Sequence, residues 1–233
     1  MTAGPTREPF DPARFLSNAS TGRMGYALAA EARARGAEVT LISGPTHLTP
    51  PPGVQLVRVG TAEEMFNAAL NQSQGADLVL KAAAVADYRP EDRSRGKIKK
   101  GTLRRRAAAG GTADRAIALR LLPTRDILEE LGRRKKPNQV LVGFAAETDD
   151  LEGNARRKLR QKNLDLVVAN RIGVEGEGFA SETNRALVID RRGRRTDLPR
   201  MSKADMAGVI LDLAIPFLRR RTTDPARGRR GRP

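Results

Sequence analysis

The sequence predicts an α/β protein with a three-layer, doubly wound, Rossmann-like and mostly parallel sheet that carries a small β-hairpin or flap insertion. Short apolar runs alternate along the chain with longer segments of helical character. A near-continuous apolar stretch lies at the start of residues 76–88, and another lies within residues 139–148. Such stretches are typical of strands in a sheet covered on both faces. The length of 233 residues suits one such domain better than two.

The first half of the chain contains elements that can be assigned from local patterns. The run after the polar stretch "SNASTGRMG" has helical character, and a proline-stiffened loop separates the two strands that follow it. Thr61 and Glu64 have the spacing of a capping box at the start of a helix. The predicted order is helix 26–36, strand 37–45, strand 54–59, helix 61–74 and a strand at the start of 76–88.

The second half continues the alternation of strands and helices. A buried strand at 139–148 precedes a helix at 150–163, where Asp149 and Asp150 suit the positive end of the helix dipole. We expect a hairpin that turns at Arg192–Gly193 and a final amphipathic helix capped by a serine. The predicted segments are strand 164–170, hairpin 185–199 and helix 202–220, whereas the pattern weakens over 89–125, where we expect a basic loop and a hairpin of 101–106 with 115–122.

The two ends of the chain depart from the regular pattern. Only Met1 and Thr2 precede the first turn, although such domains open with a strand of about five residues. We therefore expect either a truncated first strand with reduced stability, or a natural chain that begins earlier. Residues 219–233 hold seven arginines and one aspartate. They predict a disordered basic tail beside a domain at 1–218, with weak contact to RNA or a membrane surface as the alternative.

Composition limits the classes of function. The chain has no cysteine, which excludes disulfides, thiolate zinc sites and a cysteine nucleophile. No segment reaches the length of a membrane span, so we expect a soluble cytoplasmic protein without a membrane partner. The excess of 43 Lys and Arg over 27 Asp and Glu gives a charge of +16, which attracts phosphates and raises the possibility of nucleic-acid binding.

Common nucleotide-binding fingerprints are missing. No G-x-G-x-x-G follows a strand, no G-x-x-x-x-G-K-[ST] is present, and neither Tyr26 nor Tyr88 has the lysine of a Tyr-x-x-x-Lys pair. The single His47 lies in a proline-rich loop, where we expect a surface residue. In a doubly wound sheet, ligands bind beyond the carboxyl ends of the strands. The candidates at that edge are "AGPTREP", "AAAVADY", "GFAAET" and "ANRIG".

Taken together, "TAGPTREPFDPARFLSNASTGRMG", "AAAVADYRP", "KIKK", "GFAAET" and "KNLDLVVAN" occur in an order that resembles the bacterial phosphopantothenoylcysteine synthetase family. The resemblance covers about residues 2 to 217. It implies a ligase of coenzyme A biosynthesis that forms an acyl-cytidylate from 4′-phosphopantothenate and CTP, releases pyrophosphate, and transfers the acyl group to L-cysteine with release of CMP.

The resemblance also implies cofactors and partners. It implies Mg²⁺ that arrives with CTP rather than in a metal site of the protein, no flavin in this chain, and a homodimer. A phosphopantothenoylcysteine decarboxylase is expected as an upstream domain or as a separate chain. Specific nucleic-acid binding is not expected, because aromatic residues make up only 3% of the chain and no nucleic-acid module is recognisable.

Two residues match the catalytic positions of the family. Asn18 matches the asparagine linked to amide formation, and the alternative is a loop or capping residue. Lys97 matches the lysine linked to formation of the acyl-cytidylate, and the alternative is a solvated charge run. Gly22 and Gly25 would let the backbone approach the substrate, although each could be an ordinary turn glycine.

The remaining matches concern binding. Ala83 and Ala84 match positions beside phosphopantothenate, and the helical spacing of Lys158 and Lys162 places both on one helix face. This chain has Arg125 where the family usually has proline before the next aspartate, but we expect that turn to form. The nucleotide-binding residues implied by the family are Lys81, Ala82, Ala83, Asp87, Lys97, Arg125, Asp126, Ile127, Leu128, Phe144, Lys158 and Lys162.

The sequence therefore leaves three hypotheses for the function. The first is the CTP-dependent ligase. The second is a basic nucleic-acid-binding protein on an α/β scaffold, which composition alone would favour. The third is an inactive or regulatory relative, against which the presence of both Asn18 and Lys97 argues.

Overall fold

The central layer of the fold is an eight-stranded sheet with helices on both faces, as described by a computed structural model for residues 1–99, 118–172 and 181–219. The predicted α/β fold class is confirmed. The helices are α1 Arg23–Ala34, α2 Ala62–Ser73, α3 Ile127–Arg134, α4 Leu151–Gln161 and α5 Lys203–Arg219. The strands are β1 Thr2–Ala3, β2 Arg7–Pro9, β3 Phe15–Ser17, β4 Thr40–Ser43, β5 Gln55–Arg58, β6 Leu78–Lys81, β7 Tyr88–Pro90, β8 Leu121–Pro123, β9 Val140–Glu147, β10 Leu166–Arg171, β11 Thr183–Asp190 and β12 Arg195–Ser202.

The strand order of the main sheet is β12-β11-β10-β9-β6-β1-β4-β5. Strands β5, β4, β1, β6, β9 and β10 run parallel, and numbering these six along the chain gives the Rossmann order 3-2-1-4-5-6. Strands β11 and β12 extend the sheet as an antiparallel hairpin. The strand order reverses between β1 and β6, and ligands bind at such a switch point in doubly wound sheets.

The sheet separates two hydrophobic layers. On one face α1 and α5 pack against each other and against the sheet. Leu28 of α1, Leu80 of β6 and Ile210 of α5 are fully buried in this layer. On the other face α2, α3 and α4 cover residues such as Met65 and Val167. Because both faces are covered, the parallel strands carry continuous apolar runs, as the sequence predicted.

Two small antiparallel sheets lie outside the main sheet. Strand β2 pairs with β3, directly after β1 in the chain, and β7 pairs with β8. Strands β2 and β7 are in contact, so the two small sheets adjoin each other. The predicted hairpin of residues 101–106 with 115–122 lies mostly outside the described residues, and the described end of that region pairs instead with β7, as Leu121 does opposite Pro90.

The local signals of the sequence are confirmed in detail. The Thr61 hydroxyl accepts a hydrogen bond from the Glu64 N–H at 3.2 Å and caps α2, while the Glu64 carboxylate accepts from the Gly60 N–H at 2.6 Å. The hairpin turns at Gly193, whose φ of +83° favours glycine. Ser202 caps α5 through a 3.0 Å bond from the Asp205 N–H.

We expect Gly25→Ala to destabilise the fold, because α1 lies directly against β1 at this position. A Cβ on Gly25 would lie 2.5 Å from the Ala3 Cβ and 2.8 Å from the Thr2 carbonyl oxygen. Overpacking of this kind costs about 1–3 kcal/mol, which lowers the melting temperature by several degrees. Gly75→Ala is the control, because nothing lies within 4 Å of its Cβ. Thermal melts of both variants measure the difference, and a Gly25→Ala protein as stable as the control would contradict the packing argument.

Candidate active site

A cleft of about 330 Å³ opens at the carboxyl ends of the parallel strands, beside the switch point between β1 and β6. The structure brings many of the predicted site residues together there, from the loop after β3, the start of α1, the end of β6, β9 and α4. The predicted residues that line the cleft are Asn18, Gly22, Gly25, Lys81, Ala82, Ala83, Ala84, Asp87, Phe144 and Lys158.

The loop after β6 forms the floor of the cleft, and β1 together with the chain that follows it holds this loop in place. The Ala83 N–H donates to the Thr2 hydroxyl at 3.1 Å, and the Ala84 N–H donates to the Gly4 carbonyl at 3.0 Å. The Ala83 side chain is buried in the core beneath the loop. The alanines therefore present mainly backbone and one small methyl group to the cleft, which permits close approach of a ligand.

Asn18 lies at the rim of this floor, directly after β3. Its amide nitrogen donates to the Ala84 carbonyl at 3.0 Å, which leaves the amide oxygen on the exposed side chain as an acceptor. The hairpin that carries Asn18 is held by the Ser17 hydroxyl, which donates to the Thr6 carbonyl at 2.7 Å. Asn18 is thus positioned by the loop against which a substrate would lie.

The start of α1 forms one side of the cleft. Gly22 is the N-cap residue with φ of +80°, and a Cβ there would lie 2.7 Å from the Thr46 methyl carbon. The first turn holds no acidic residue, and glycine offers no side-chain acceptor to the first N–H groups. This helix end is therefore suited to an anion. Gly25 lies against β1, so its small size is required by packing.

Lys81 ends β6 beneath the cleft. Its ammonium donates to the Ala83 carbonyl at 3.0 Å. Burial and the charge of Lys158 lower the pKa of Lys81 from 10.5 to about 8, against the opposing effect of Asp126 and Asp87. The side chain is cationic below this pKa and neutral above it, so the attraction of the cleft for anions should weaken as the pH rises through about 8.

The segment from Arg125 to Leu128 does not line the cleft. The Arg125 guanidinium pairs with Glu63 at 3.2 Å and lies 3.7 Å from the centre of the Phe66 ring. Asp126 caps α3 by accepting the Glu129 N–H at 2.9 Å. The side chains of Ile127 and Leu128 are buried in the core, so a ligand could meet only their backbone.

The two predicted lysines of α4 have different surroundings. Lys158 lines the cleft, whereas Lys162 lies one turn further along, at the end of the helix. The Lys162 ammonium pairs with Asp126 at 3.1 Å and with Glu129 at 2.5 Å. Lys162 therefore joins α4 to α3 beside the cleft.

Lys97 also lies outside the cleft in this conformation. It is an exposed residue on the segment that follows β7, and the segment has neither helix nor strand over residues 91–99. The neighbouring Lys99 is exposed too, while Lys100 lies outside the described residues. The proposed catalytic role of Lys97 would therefore require a movement toward the cleft.

The cleft contains further polar residues that the sequence did not single out. Asn170 lies within "ANRIG", a motif placed at this edge, and Arg23 lies within "SNASTGRMG", whereas Asn184 comes from β11 and Lys203 is the first residue of α5, directly after β12. Strand β11 starts, and β12 ends, at the same edge as the carboxyl ends of the parallel strands, a juxtaposition that local patterns do not reveal. Lys203 is buried, and burial together with the charge of Arg23 lowers its pKa.

Other parts of the described structure do not contain a second group of the predicted site residues. A larger groove of about 560 Å³ lies between α4 and the β11–β12 hairpin, and none of the predicted site residues lines it. Within residues 1–99, 118–172 and 181–219, no three His, Cys, Asp or Glu side chains are grouped to hold a metal ion. No helix in the described part of the chain is both long enough and apolar enough to span a membrane.

Comparison with known proteins is consistent with this geometry. Residues 1–217 match the family model described as "DNA/pantothenate metabolism flavoprotein C-terminal domain". The bifunctional coenzyme A biosynthesis protein CoaBC of Bacillus subtilis is 47% identical over 212 residues, which are 91% of this chain and 49% of that protein. This chain thus spans about half the length of the curated relatives it matches.

Solved structures resemble it over nearly its whole length. The C-terminal domain of a CoaBC protein superposes with a TM-score of 0.76 and 39% identity, covering 94% of both chains. A mutant of Cab2 in complex with phosphopantothenate-cysteine has a TM-score of 0.74 over 95% of this chain and 87% of the other. Its identity is 18%, so this second likeness shows the fold alone.

We expect Lys158→Met to raise the pKa of Lys81, because it removes a neighbouring positive charge that lowers it. Lys136→Met is the control, since the Lys136 ammonium bonds the Gln74 carbonyl, outside the cleft. NMR titration of lysine side chains labelled at Cε and Nζ measures the pKa in each protein. Equal Lys81 pKa values in the wild type and both variants would disprove the coupling.

Proposed function

Since the chain belongs to the family described as the DNA/pantothenate metabolism flavoprotein C-terminal domain, we propose that it is a CTP-dependent ligase of coenzyme A biosynthesis that joins 4′-phosphopantothenate to L-cysteine. The cleft carries this proposal, because it combines Asn18, an alanine loop that exposes backbone, and buried or half-buried cations at one edge of the sheet. A related protein of this class is named for coenzyme A biosynthesis.

The reaction has two steps. A carboxylate oxygen of 4′-phosphopantothenate attacks the α-phosphorus of CTP, and pyrophosphate leaves with the electrons of the broken P–O bond. The amine of cysteine then attacks the acyl carbon, CMP leaves, and the amine nitrogen loses a proton. Both steps move negative charge among phosphate oxygens, so positioned cations and N–H donors are the protein groups that the chemistry needs.

The described cleft suits polyanionic substrates. Its lining residues include four cations, namely Arg23, Lys81, Lys158 and Lys203, and a single acidic residue, Asp87. The uncapped start of α1 adds N–H donors on one side. We assign the phosphopantothenate side to Asn18, Gly22 and the alanine loop.

We assign the nucleotide to the opposite part of the cleft. Lys81, Lys158 and Phe144 line it, and Asp87 lies beside them. Asp126, in the turn from Arg125 to Leu128, links this turn to the nucleotide region, because its charge acts on Lys81. The Lys162 ammonium pairs with the same Asp126 carboxylate. In this proposal the turn contributes backbone contacts and Lys162 fixes the position of α3.

Asn18 and Lys97 have separate roles in the proposal. Asn18 holds the acyl-nucleotide while cysteine attacks, because its amide can donate and accept without adding charge. Lys97 approaches the triphosphate from its exposed segment and neutralises charge that develops at the α-phosphate.

Mg²⁺ fits this site as a companion of the nucleotide. It is commonly bound by one or two carboxylates together with substrate phosphates, and Asp87 is the carboxylate that lines the described cleft. Bound there with the triphosphate, the ion would supply charge neutralisation. The lysines Lys81 and Lys158 would hold the remaining phosphate charge.

We also propose that the chain forms a homodimer, as the family resemblance implies, through its two small sheets. The large hydrophobic residues exposed in the described structure are Phe15, Tyr88 and Leu121, and all three lie on strands β3, β7 and β8. A decarboxylase domain or chain is the expected partner in the pathway, because the relatives of double length are named as bifunctional proteins.

A nucleic-acid-binding protein remains the competing function, and the charge of +16 favours it. The two functions differ in what they bind at physiological salt. Parallel titrations with single-stranded RNA and with CTP at increasing salt separate them. Tight RNA binding near 150 mM salt without any CTP binding would reject the ligase.

We predict pyrophosphate release when the protein is given 4′-phosphopantothenate, Mg²⁺ and CTP, and slower release with ATP. Lys97→Ala should slow pyrophosphate release about 100-fold or more, because it removes a cation from the developing charge. Asn18→Ala should still release about one equivalent of pyrophosphate but make little amide. Chromatography of the products, with and without cysteine, separates the two steps.

The controls for this experiment are Lys136→Ala and Asn71→Ala, which change exposed residues of the same types away from the cleft lining. Both should behave as the wild type. Normal amide formation by Asn18→Ala would refute its assigned role, and absence of pyrophosphate release with either nucleotide would refute the ligase.

For the dimer, we expect Tyr88→Arg to shift the protein from dimer to monomer, since it places charge on an exposed apolar surface. Sedimentation equilibrium at micromolar concentration measures the mass of the 25.3 kDa chain directly. The matched control is Ala37→Arg, which changes an exposed apolar loop residue outside the small sheets. A wild type that sediments as a monomer would overturn this interface.

A further inference from the structure

Thr124 lies between β8 and α3, outside the cleft, and binds the loop that follows β6. Its hydroxyl donates to the Ala86 carbonyl at 2.7 Å, and its N–H donates to the Asp87 carbonyl at 2.8 Å. Ala86 is buried, and Asp87 lines the cleft. Residues 124–126, which we call the α3 turn, are therefore fixed on one side to the backbone that carries Asp87.

Arg125 holds the α3 turn on its other side. Its guanidinium donates to both carboxylate oxygens of Glu63, through Nε at 3.2 Å and through Nη2. Nη2 also donates to the Asn67 amide oxygen at 3.3 Å, and the guanidinium carbon lies 3.7 Å from the centre of the Phe66 ring. Glu63, Phe66 and Asn67 share one face of α2, because their spacing is i, i+3 and i+4. One face of α2 thus supplies an acid, a ring and an amide to a single guanidinium.

These contacts differ from an ordinary surface ion pair. Arg125 and Glu63 are about half exposed, and one exposed pair by itself contributes little stability. A bidentate pair with aromatic stacking and a further acceptor fixes the orientation of a planar guanidinium much better than a single contact does. Because Thr124 and Arg125 bind separate parts of the fold, a shift of the α3 turn would break one set of these bonds.

The α3 turn also carries Asp126, which connects it to the cleft. Asp126 accepts the Glu129 N–H at 2.9 Å as the cap of α3 and pairs with Lys162 at 3.1 Å. Its charge also acts on Lys81, which lines the cleft. The place of the turn therefore influences the part of the cleft to which we assign the nucleotide.

We propose that Thr124 and Arg125 are positioning residues that hold the α3 turn between the cleft floor and α2, so that Asp126 and the backbone of the turn keep a fixed place beside the nucleotide. The part that concerns the nucleotide rests on the proposed ligase function. Neither side chain lines the cleft. Their effect falls on the nucleotide and not on 4′-phosphopantothenate, because Ala83 and Ala84 are held separately by Thr2 and Gly4.

The first test is amide hydrogen exchange at residue 124, followed by NMR, which needs no enzymatic activity. Thr124→Val keeps the shape of the side chain without its hydroxyl, and Arg125→Gln removes the guanidinium. Each should make exchange about 10-fold faster, as expected for loss of one hydrogen-bonded anchor. Thr124→Ser retains the hydroxyl and should exchange as the wild type does. Unchanged exchange in Thr124→Val or in Arg125→Gln would overturn the anchoring, whatever the protein catalyses.

The second test is calorimetric titration with CTP in the presence of Mg²⁺, and separately with 4′-phosphopantothenate. Thr124→Val and Arg125→Gln should raise the Kd of CTP about 10-fold, as expected if the turn keeps its binding place only about a tenth of the time. The Kd of 4′-phosphopantothenate should stay at the wild-type value. Faster exchange with unchanged CTP affinity, or equal weakening of both ligands, would overturn the positioning role. A wild type that does not bind CTP would instead reject the ligase, and the exchange test would still decide the anchoring.

The structure offers a matched control for each variant. Arg133 makes a bidentate pair with Glu130 at 2.8 and 2.6 Å, but both residues belong to α3, so Arg133→Gln breaks no tie between elements. The Thr40 hydroxyl donates to Gln55 at 3.2 Å between β4 and β5, away from the cleft lining. Arg133→Gln and Thr40→Val should change neither exchange at residue 124 nor CTP affinity.

A further variant approaches the same contact from α2. Glu63→Gln should reproduce the effects of Arg125→Gln, and the double variant should add little to either, because both substitutions remove one interaction. Additive effects of the two substitutions would show that Arg125 does not act through Glu63 and would overturn its assigned anchor. If Thr124→Val does not fold, Arg125→Gln and Glu63→Gln decide the proposal by the same two measurements, because both change exposed side chains.

Discussion

The candidate site depends on one constraint, the hydrogen bonding of β1 and the chain that follows it to the loop after β6. Thr2 and Gly4 accept the N–H groups of Ala83 and Ala84. The Thr6 hydroxyl accepts the Ala86 N–H at 3.0 Å, and its own N–H donates to the Ala84 carbonyl at 3.3 Å. Thr2 and Thr6 are buried, so these bonds are protected from water. They fix the cleft floor against which Asn18 is held.

The charge of the protein is organised differently inside and outside the cleft. Many arginines of the described surface are paired with nearby carboxylates, such as Arg35 with Asp212 at 2.6 Å and Arg195 with Asp197 at 2.8 Å. Such exposed pairs contribute little stability, but they balance the local field. In the cleft, burial and the charge of Lys158 lower the pKa of Lys81, and burial and the charge of Arg23 lower the pKa of Lys203, while Arg23 itself pairs with Glu182 at 3.4 Å. An incoming polyanion would relieve this repulsion, which favours binding of phosphates at this edge.

Buried carboxylates hold irregular segments together at two places in the fold. At the edge away from the cleft, the fully buried Asp165 binds Lys135 at 3.1 Å and Arg191 at 2.7 Å, and it accepts the Leu141 N–H. These contacts join α3, the start of β10 and the β11–β12 turn. The buried Asp11 does the same for the β2–β3 hairpin and the segment that bears Lys97, because it accepts hydrogen bonds from the Arg14 side chain and, at 3.1 Å, from the Ile98 N–H. Because removal of one partner would leave a buried charge, each group strongly specifies one arrangement of otherwise irregular segments.

The sequence by itself determined the helices and strands whose signals are local: the apolar strands, the Thr61 cap, the Gly193 turn and the final helix. It also placed "AGPTREP", "AAAVADY", "GFAAET" and "ANRIG" at one sheet edge, because the carboxyl ends of parallel strands must meet there. Only the tertiary structure decided the exact set of side chains in the cleft. Asn184 enters it from the antiparallel strand β11 and Lys203 from the start of α5, while Arg125 turns away to pair with Glu63. Their positions depend on contacts between residues far apart in the chain, which periodicity and capping signals do not encode.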